Sequence, residues 1–527
     1  MDAFKFNLAS EPWVPCIMAD GTPKKLSLIE LFKKSEDIMD ITDSNPLIRI
    51  SIIRTLLAIV HRSIPTIEIA DLDRIWNSDG WQPRLIIEYL RFWEHRFDLF
   101  DANRPFFQIS GQVGDPTSIS KLAFDRASGH NAVLFDHSTD ESPKPVSPST
   151  AAMLLLYNQA FNLSAGKSRT GHTKDAPISR CMVVLIRGRD LAETLKLNLV
   201  LYNPKQPRLV LGDNRGQSSG SAIDLPVWER QDDIAGSARY ATGYLDLLTW
   251  PSRCIRLIPE NLDGRTVVRK VIFSQGVELL DQGLRDPMIP HVLKKEDNTT
   301  YGMRLQKDKA VWRNLESLLM TSRTSQTSYN VTLLLDIIQG GMVTVGNIGE
   351  RIDLNVCGLI SPGQAKIEHW VDSAIPIPFM VLKDQMVKEL VMRGLESTDH
   401  IAGLLRTASY VFANELIQKG MDGKADPRQV SDFLDNSNVI RDYWGSMEIP
   451  YLRFLNEIDH SNDPAAALDD WINKFAVPNG ANALLGLLKR NDSGIPGMKA
   501  GVAAREYFYK HIILKNKAGE HNGSVIE

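Results

Sequence analysis

The sequence predicts an α+β protein: a large mixed α/β N-terminal domain over residues 1–373, followed over residues 379–517 by a C-terminal antiparallel helical bundle of the four-helix type. Three observations predict it. Before residue 374, short strand-like and helix-like stretches interleave without a regular βαβ alternation. After Pro378, one helical pattern follows another with short connections, which implies antiparallel neighbours. Between them, Ala374-Ile-Pro-Ile-Pro378 resists helix and reads as an extended linker. At 527 residues the chain also exceeds what one hydrophobic core usually supports.

Taken in order, residues 4–17 alternate toward a short strand, Asp20-Gly21 makes a turn, and residues 25–34 begin a helix. Residues 45–61 form a strong helix, with Pro46 in its first turn and Ile48, Ile52, Leu56 and Leu57 on one face. Residues 80–97 form another, its stripe being Leu85, Ile86, Tyr89, Leu90 and Trp93. Such stripes are core far more often than binding surface. Residues 104–148, rich in Gly, Pro, Ser and Asp, are the least regular segment. Residues 150–161 read as a helix and 181–186 as a buried strand. Residues 253–259 and 266–274 look like strands, and 328–338 is helical or strand-like. Residues 342–348 and 352–360 pair as a hairpin around Gly349-Glu350. In the bundle, helices are expected at 380–393, 398–419, 426–435, 437–459, 463–475 and 498–517.

Composition narrows the function. Net charge is −4, so any nucleic-acid contact must come from local patches or from binding beside a partner. The four cysteines are dispersed with no CxxC pair, against a zinc ribbon or a disulfide framework and in favour of a reducing cytosol. The N-terminus lacks the order of a signal peptide, and no apolar run is long enough to span a bilayer.

Two stretches carry the chemistry. Between the helix and strand around residues 150–186 lies a loop of small and cationic residues: Ser164, Ala165, Gly166, Lys167, Ser168, Arg169, Gly171 and Lys174. From residue 160 to 189 the cations Lys167, Arg169, Lys174, Arg180, Arg187 and Arg189 face one acid, Asp175. Small residues let backbone approach a ligand, and the cations favour one that bears phosphate. AGKS imitates the end of a P-loop, but Phe161 stands where its first glycine belongs and the strand–loop–helix order is reversed. The plain alternative is a surface turn with solvated charges. The second stretch is the turn Ser361-Pro-Gly363-Gln364-Ala365, which presents Gln364 between two small residues. A glutamine tip can enter a stacked duplex and satisfy base edges as donor and acceptor, although a polar turn residue needs no such role.

His130, Asp136, His137 and Asp140 suggest a metal site, but their spacing matches no standard ligand motif. No HExxH, GxSxG or Rossmann glycine pattern is present, so no catalysis and no cofactor is expected.

In the order of its patches the chain resembles the large subunit of the type I-E CRISPR surveillance complex, Cascade (the CasA family). The patches are Asn7, Pro12, Trp13 and Pro15 at the entry; a loop around Asn131, Leu134 and Phe135; and the LLYNQAFN run into the small-residue loop. They continue with Ile186-Arg-Gly-Arg-Asp-Leu191, Asp286-Pro-Met288, Gly363-Gln364-Ala365 and the terminal bundle.

The resemblance implies a subunit that recognises the protospacer-adjacent motif (PAM) in double-stranded target DNA, largely from the minor groove. Residues 164–168 would be its glycine loop, and Gln364 the wedge that starts strand separation, with Gly363 and Ala365 allowing close approach. Asn131, Leu134 and Phe135 would dock on the guide-RNA-containing subunits. Lys270 would be the groove lysine of a central hairpin, and the bundle would meet neighbouring subunits, the displaced strand and the helicase-nuclease. The chain departs from that pattern in having only Gly166 before the cationic part of its loop, and no paired cysteines for zinc. A metal-dependent nuclease using His130, Asp136 and His137, and a scaffold without DNA contact, are the competing readings.

Overall fold

Asn45 starts the helix on which the first half of the molecule is built. Its side chain accepts from the Leu47 amide at 3.0 Å and Pro46 follows, so helix α1 (Pro46–Ser63) begins where the sequence places it. Its apolar stripe predicts one buried face; instead almost every residue is enclosed, including Arg49 and Arg54. A helix surrounded on all sides must satisfy its charges internally. Arg49 therefore donates to Asp372 at 2.7 Å and Asn355 at 2.6 Å, and Arg54 meets Asp286 at 2.7 Å.

The structure, a computed structural model, describes residues 4–521 except 78–80, 111–113, 124–142, 165–166, 169–170, 209–222, 232–237, 282, 295–299, 323–324, 364–366, 419–424 and 492–493. The side chains of 167–168, 171–172, 459 and 513–521 also lie outside the described set. It is mixed helix and sheet, and divides into two compact units, Met1–Ile375 and Pro376–Glu527.

In the first unit, strand β1 (Val14–Met18) pairs antiparallel with β2 (Pro23–Leu26) and β3 (Ile38–Ile41). Asp20 holds the intervening turn through the Thr22 amide, and Gly21 there has φ +80°. Helix α2 (Pro148–Phe161) is capped by Ser147, whose hydroxyl accepts from the Thr150 amide. Strand β4 (Val183–Arg187) is buried, as its apolar run predicts, and α3 (Leu191–Leu197) follows behind an Asp190 cap. Strands β5 (Arg253–Leu262) and β6 (Arg265–Gln275) form a long antiparallel hairpin. Its two-residue turn, Asp263-Gly264, has φ +51° and +78°, the left-handed pair that such a turn requires.

Two local expectations fail. Residues 345–348 form a helical turn rather than a strand, because Thr344 and Asn347 make a reciprocal capping box and Gly349, at φ +82°, ends the turn. Strand β7 (Arg351–Ile360) thus has no hairpin partner there; it pairs with β4, Leu354 opposite Ile186, and with β8 (His369–Pro378). The proline-rich stretch is consequently the end of β8, not a free linker. Strand β8 lies at the sheet edge, where a missing amide hydrogen is tolerated.

The second unit consists of α4 (Gln385–Ile417), α5 (Pro427–Ser437), α6 (Val439–His460), α7 (Pro464–Trp471), α8 (Val477–Arg490) and α9 (Ile495–His521). Gly394, where the sequence pattern predicts a break between two helices, lies inside α4. A Cβ there would come within 2.8 Å of Phe454, and its carbonyl accepts from the Trp471 indole at 3.3 Å. The glycine serves close approach, not termination. Along α6, Tyr443 and Tyr451 donate to Thr398 and Val391 respectively, so α6 runs antiparallel to α4. A π turn at Ile472–Ala476 joins α7 to α8 and absorbs Pro478, whose ring would otherwise break the helix.

Candidate nucleic-acid interface

Arg253, at the start of β5, is fully enclosed and organises the neck of the small-residue loop. Its guanidinium donates to the carbonyls of Leu163 at 3.4 Å and Asn162 at 3.0 Å, where the loop begins. It donates also to the Lys174 carbonyl at 2.7 Å, where the loop ends. No carboxylate touches it among the described residues. Burial pushes it down to about 10, opposed by the charge of Asp175, and it stays cationic at neutral pH. Gln159 accepts from the Arg253 amide and donates to its carbonyl, while Gln275 accepts from the Lys174 amide at 2.7 Å. The Ala176 amide then closes the neck on the Asn162 carbonyl at 2.8 Å. One strand end thus grips both ends of the loop.

Asp175 and Arg180 extend this grip to the second stretch. Asp175 accepts from the Ser164 amide at 2.8 Å and from Arg180 Nε at 2.5 Å. The remaining nitrogens of Arg180 reach the Ser361 hydroxyl at 3.0 Å and the Gly363 carbonyl at 3.3 Å. Burial alone would raise the Asp175 carboxyl, but the Arg180 hydrogen bond and the Ser164 amide outweigh it and hold it below the usual carboxylate range. The pair is therefore ionised at neutral pH, and it sets the foot of the loop beside the foot of the turn. Ser164 and Gly363, 199 positions apart in the chain, share one ion pair.

Lys167 and Ser168 form a two-residue ladder with Gly171 and His172. Ala165, Gly166, Arg169, Gln364 and Ala365 lie outside the described residues, as do Asn131, Leu134, Phe135, His130, Asp136, His137 and Asp140. Among the described residues, no group of three or more His, Cys, Asp or Glu is arranged to hold a metal ion, and no helix is long and apolar enough to cross a membrane.

The cationic run needs correction. An acid meets every one of its cations whose side chain is described: Lys174 pairs with distant Glu278 and Arg187 with distant Asp40, Arg189 with Glu193 four residues on and Arg180 with Asp175. A charge excess along the sequence is therefore not an excess in space. Lys270 differs. It is exposed on β6, opposite Ile258 and Ser118, and no described group pairs with it. Five residues separate it from Gln275, or about 17 Å of strand.

With this geometry in place, comparison with known proteins is decisive. The family model for CRISPR-associated protein Cse1 matches residues 7–477. The chain belongs to the Cse1 family. A Cse1 relative from Thermus thermophilus, CRISPR-associated protein CasA/Cse1, is 29% identical over 486 residues, covering 89% of each chain. The crystal structure of Thermus thermophilus CasA superposes with a TM-score of 0.79 at 25% identity, over 96% of this chain and 99% of that one. A chain of a CRISPR RNA-guided surveillance complex has the same fold, with a TM-score of 0.76 at 18% identity over 96% and 99%.

Several patches that carry the resemblance to the Cse1 family serve the scaffold. Trp13 is buried and donates to Leu8, Asn7 donates to the Glu94 carbonyl, and Asp286 neutralises Arg54. In Ile186-Arg-Gly-Arg-Asp-Leu191, Asp190 caps α3, and a side chain at Gly188 would strike Glu193. Sequence reasoning missed the anchoring roles of Arg180 and Arg253. No local pattern marks them, because the contacts that join the two turns, Arg180 to Ser361 and Gly363 and Arg253 to the ends of the loop, come from far along the chain.

Proposed function

We propose that the chain is the large subunit of a cytoplasmic type I-E surveillance complex, reading the PAM of duplex DNA from the minor groove and wedging the strands apart to begin the R-loop. The observation that carries this reading is the Asp175–Arg180 pair, which places the feet of the two turns together. Ser164, Ala165, Gly166, Lys167 and Ser168 present backbone and small side chains to the groove, with Lys167 and Arg169 meeting phosphates. Gln364 is the wedge, and Gly363 and Ala365 give it room. Lys270 is the groove lysine, its exposure on the hairpin favouring that role. Minor-groove readout separates mainly A·T from G·C, which suits a short, degenerate motif. Unstacking one base step costs roughly a few kcal/mol, within reach of one inserted side chain and nearby phosphate contacts.

No catalysis is needed for this role, and guide pairing supplies the remaining specificity. Residues 1–373 form the recognition domain. Asn131, Leu134 and Phe135 dock on the guide-bearing subunits, and the bundle at 379–517 faces the displaced strand and helps recruit the helicase-nuclease.

The test is target binding and R-loop opening by the reconstituted complex across a library of PAM sequences. Gln364→Ala is expected to slow opening while assembly stays intact. Arg180→Ala, which unlinks the feet of the two turns, is expected to weaken binding and blunt PAM preference. Wild-type opening rates and preferences in both variants would sink the proposal.

A further inference from the structure

The first unit holds a second concavity that the PAM reading does not use. It encloses about 260 Å³ and is lined by Arg96, Arg104, Arg230 and Gln231 over Phe107 and Trp228. The two aromatic rings are 6% and 2% exposed, so they make an apolar floor and leave no face for a base to stack on. Polar recognition in this cavity therefore falls chiefly to the guanidiniums.

Elsewhere in this unit, four buried or half-buried arginines meet the chain's own acids, Arg49–Asp372 and Arg54–Asp286 at 2.7 Å, Arg62–Glu229 at 2.6 Å and Arg187–Asp40 at 2.7 Å, while Arg253 and Arg256 are met by main-chain carbonyls. Two arginines of the cavity differ. Arg96 Nε is shut away from solvent with no hydrogen-bond partner. Neither Arg96 nor Arg104 has an ion-pair partner among the described residues, and Arg104 is exposed. Arg230 is engaged, by Asp246 at 3.4 Å and the Thr242 hydroxyl at 3.2 Å.

Nearby acids are engaged. Asp101 accepts from the Asn103 and Arg104 amides, Asp98 from the Phe6 and Phe100 amides, and Glu229 from Arg62. Burial, then the like charge of Arg104, lowers the Arg96 guanidinium, with Asp101 opposing. Two guanidiniums that repel one another in a concave site gain most from an anion that accepts from both. Tetrahedral phosphoryl oxygens match their forked donors.

We propose that this cavity binds a phosphoryl group between Arg96 and Arg104, carried either by a nucleic-acid strand or by a free phosphate. The inference stands whether or not the two turns touch DNA.

The test uses the full chain and the double variant Arg96→Gln/Arg104→Gln. Melting is compared in inorganic phosphate and in chloride at equal ionic strength. Phosphate is expected to raise the Tm of the wild type and not that of the variant. In chloride the variant is expected to melt at or above the wild type, because repulsion has been removed. A labelled single-stranded DNA then separates the two sources. Strand phosphate predicts a salt dependence of log K shallower by about 0.7 for each phosphate that the variant no longer neutralises. Free phosphate predicts an unchanged slope. An equal phosphate response in both proteins overturns the proposal. So does a variant that melts lower in chloride, the behaviour expected if the chain's own acids, with Asp232-Asp233 next in sequence, neutralise the arginines.

Discussion

The two units solve the same problem, a unique packing, by different means. The first threads charge through its interior: Arg49, Arg54 and Arg253 are each enclosed and each meet named oxygens, although Arg49 Nε is left without a partner. The second buries one lysine, Lys388, among its described residues and relies more on shape. Gly394 lies against Phe454, Gly480 lies within a methyl's reach of Ile401 and Phe508, and Trp471 stacks on Phe454 with ring centres 5.2 Å apart. Its described ion pairs, Lys474–Asp470 and Arg490–Asp442, are at the surface. Directional bonds fix where a loop leaves a scaffold, whereas close-packed helices fix an outline. The first unit carries the turns, so it has the greater use for direction.

The largest expected effect tests that contrast at Arg253. Arg253→Met fills similar space but strands the Leu163 and Lys174 carbonyls without a donor. The loss should be about 3–5 kcal/mol by denaturant unfolding, with faster amide exchange across residues 160–176. A near-neutral result would mean that the neck is held by packing, as in the second unit. Next is Gly394→Val, where added atoms meet a ring that cannot retreat; about 1–3 kcal/mol should be lost. If it is tolerated, shape matters less in the bundle than its contacts suggest.

The smallest effect separates the units by pH. His61 is buried beside Tyr202 and Tyr244, and burial pushes it down to about 3, so it is neutral in the fold. The unfolded chain takes a proton near 6.5 that the folded chain refuses. His61 therefore contributes its full stability above pH 6.5 and loses it as pH falls toward 3. Between pH 6.5 and 5.5 the wild type should lose about 1 kcal/mol more than His61→Gln. Equal slopes in the two proteins would show that His61 is protonated in place.

Much of this is legible in the sequence where cause and effect are close together in the chain. Asn45-Pro46 starts α1, the run at 181–186 is a buried strand, and successive helices fill the second unit. Asp263-Gly264, which turns the long hairpin, is a stronger local signal than Gly349-Glu350, which only imitates one. Legibility fails where a residue's meaning depends on a distant partner. Gly394 imitates a helix end until Phe454 is in place. The prolines at 376 and 378 imitate a linker, yet they end strand β8. The cations at 174 and 187 imitate a ligand patch until Glu278 and Asp40 arrive to neutralise them.

The anchoring of the two turns has a consequence for how their tips can change. Asp175 holds Ser164 by its main-chain amide, and Arg180 holds Gly363 by its main-chain carbonyl. Neither clamp inspects the side chains beyond it. A library randomised at residues 165–169 and 364–365 is therefore expected to leave both clamps in place, like bits exchanged in a fixed chuck.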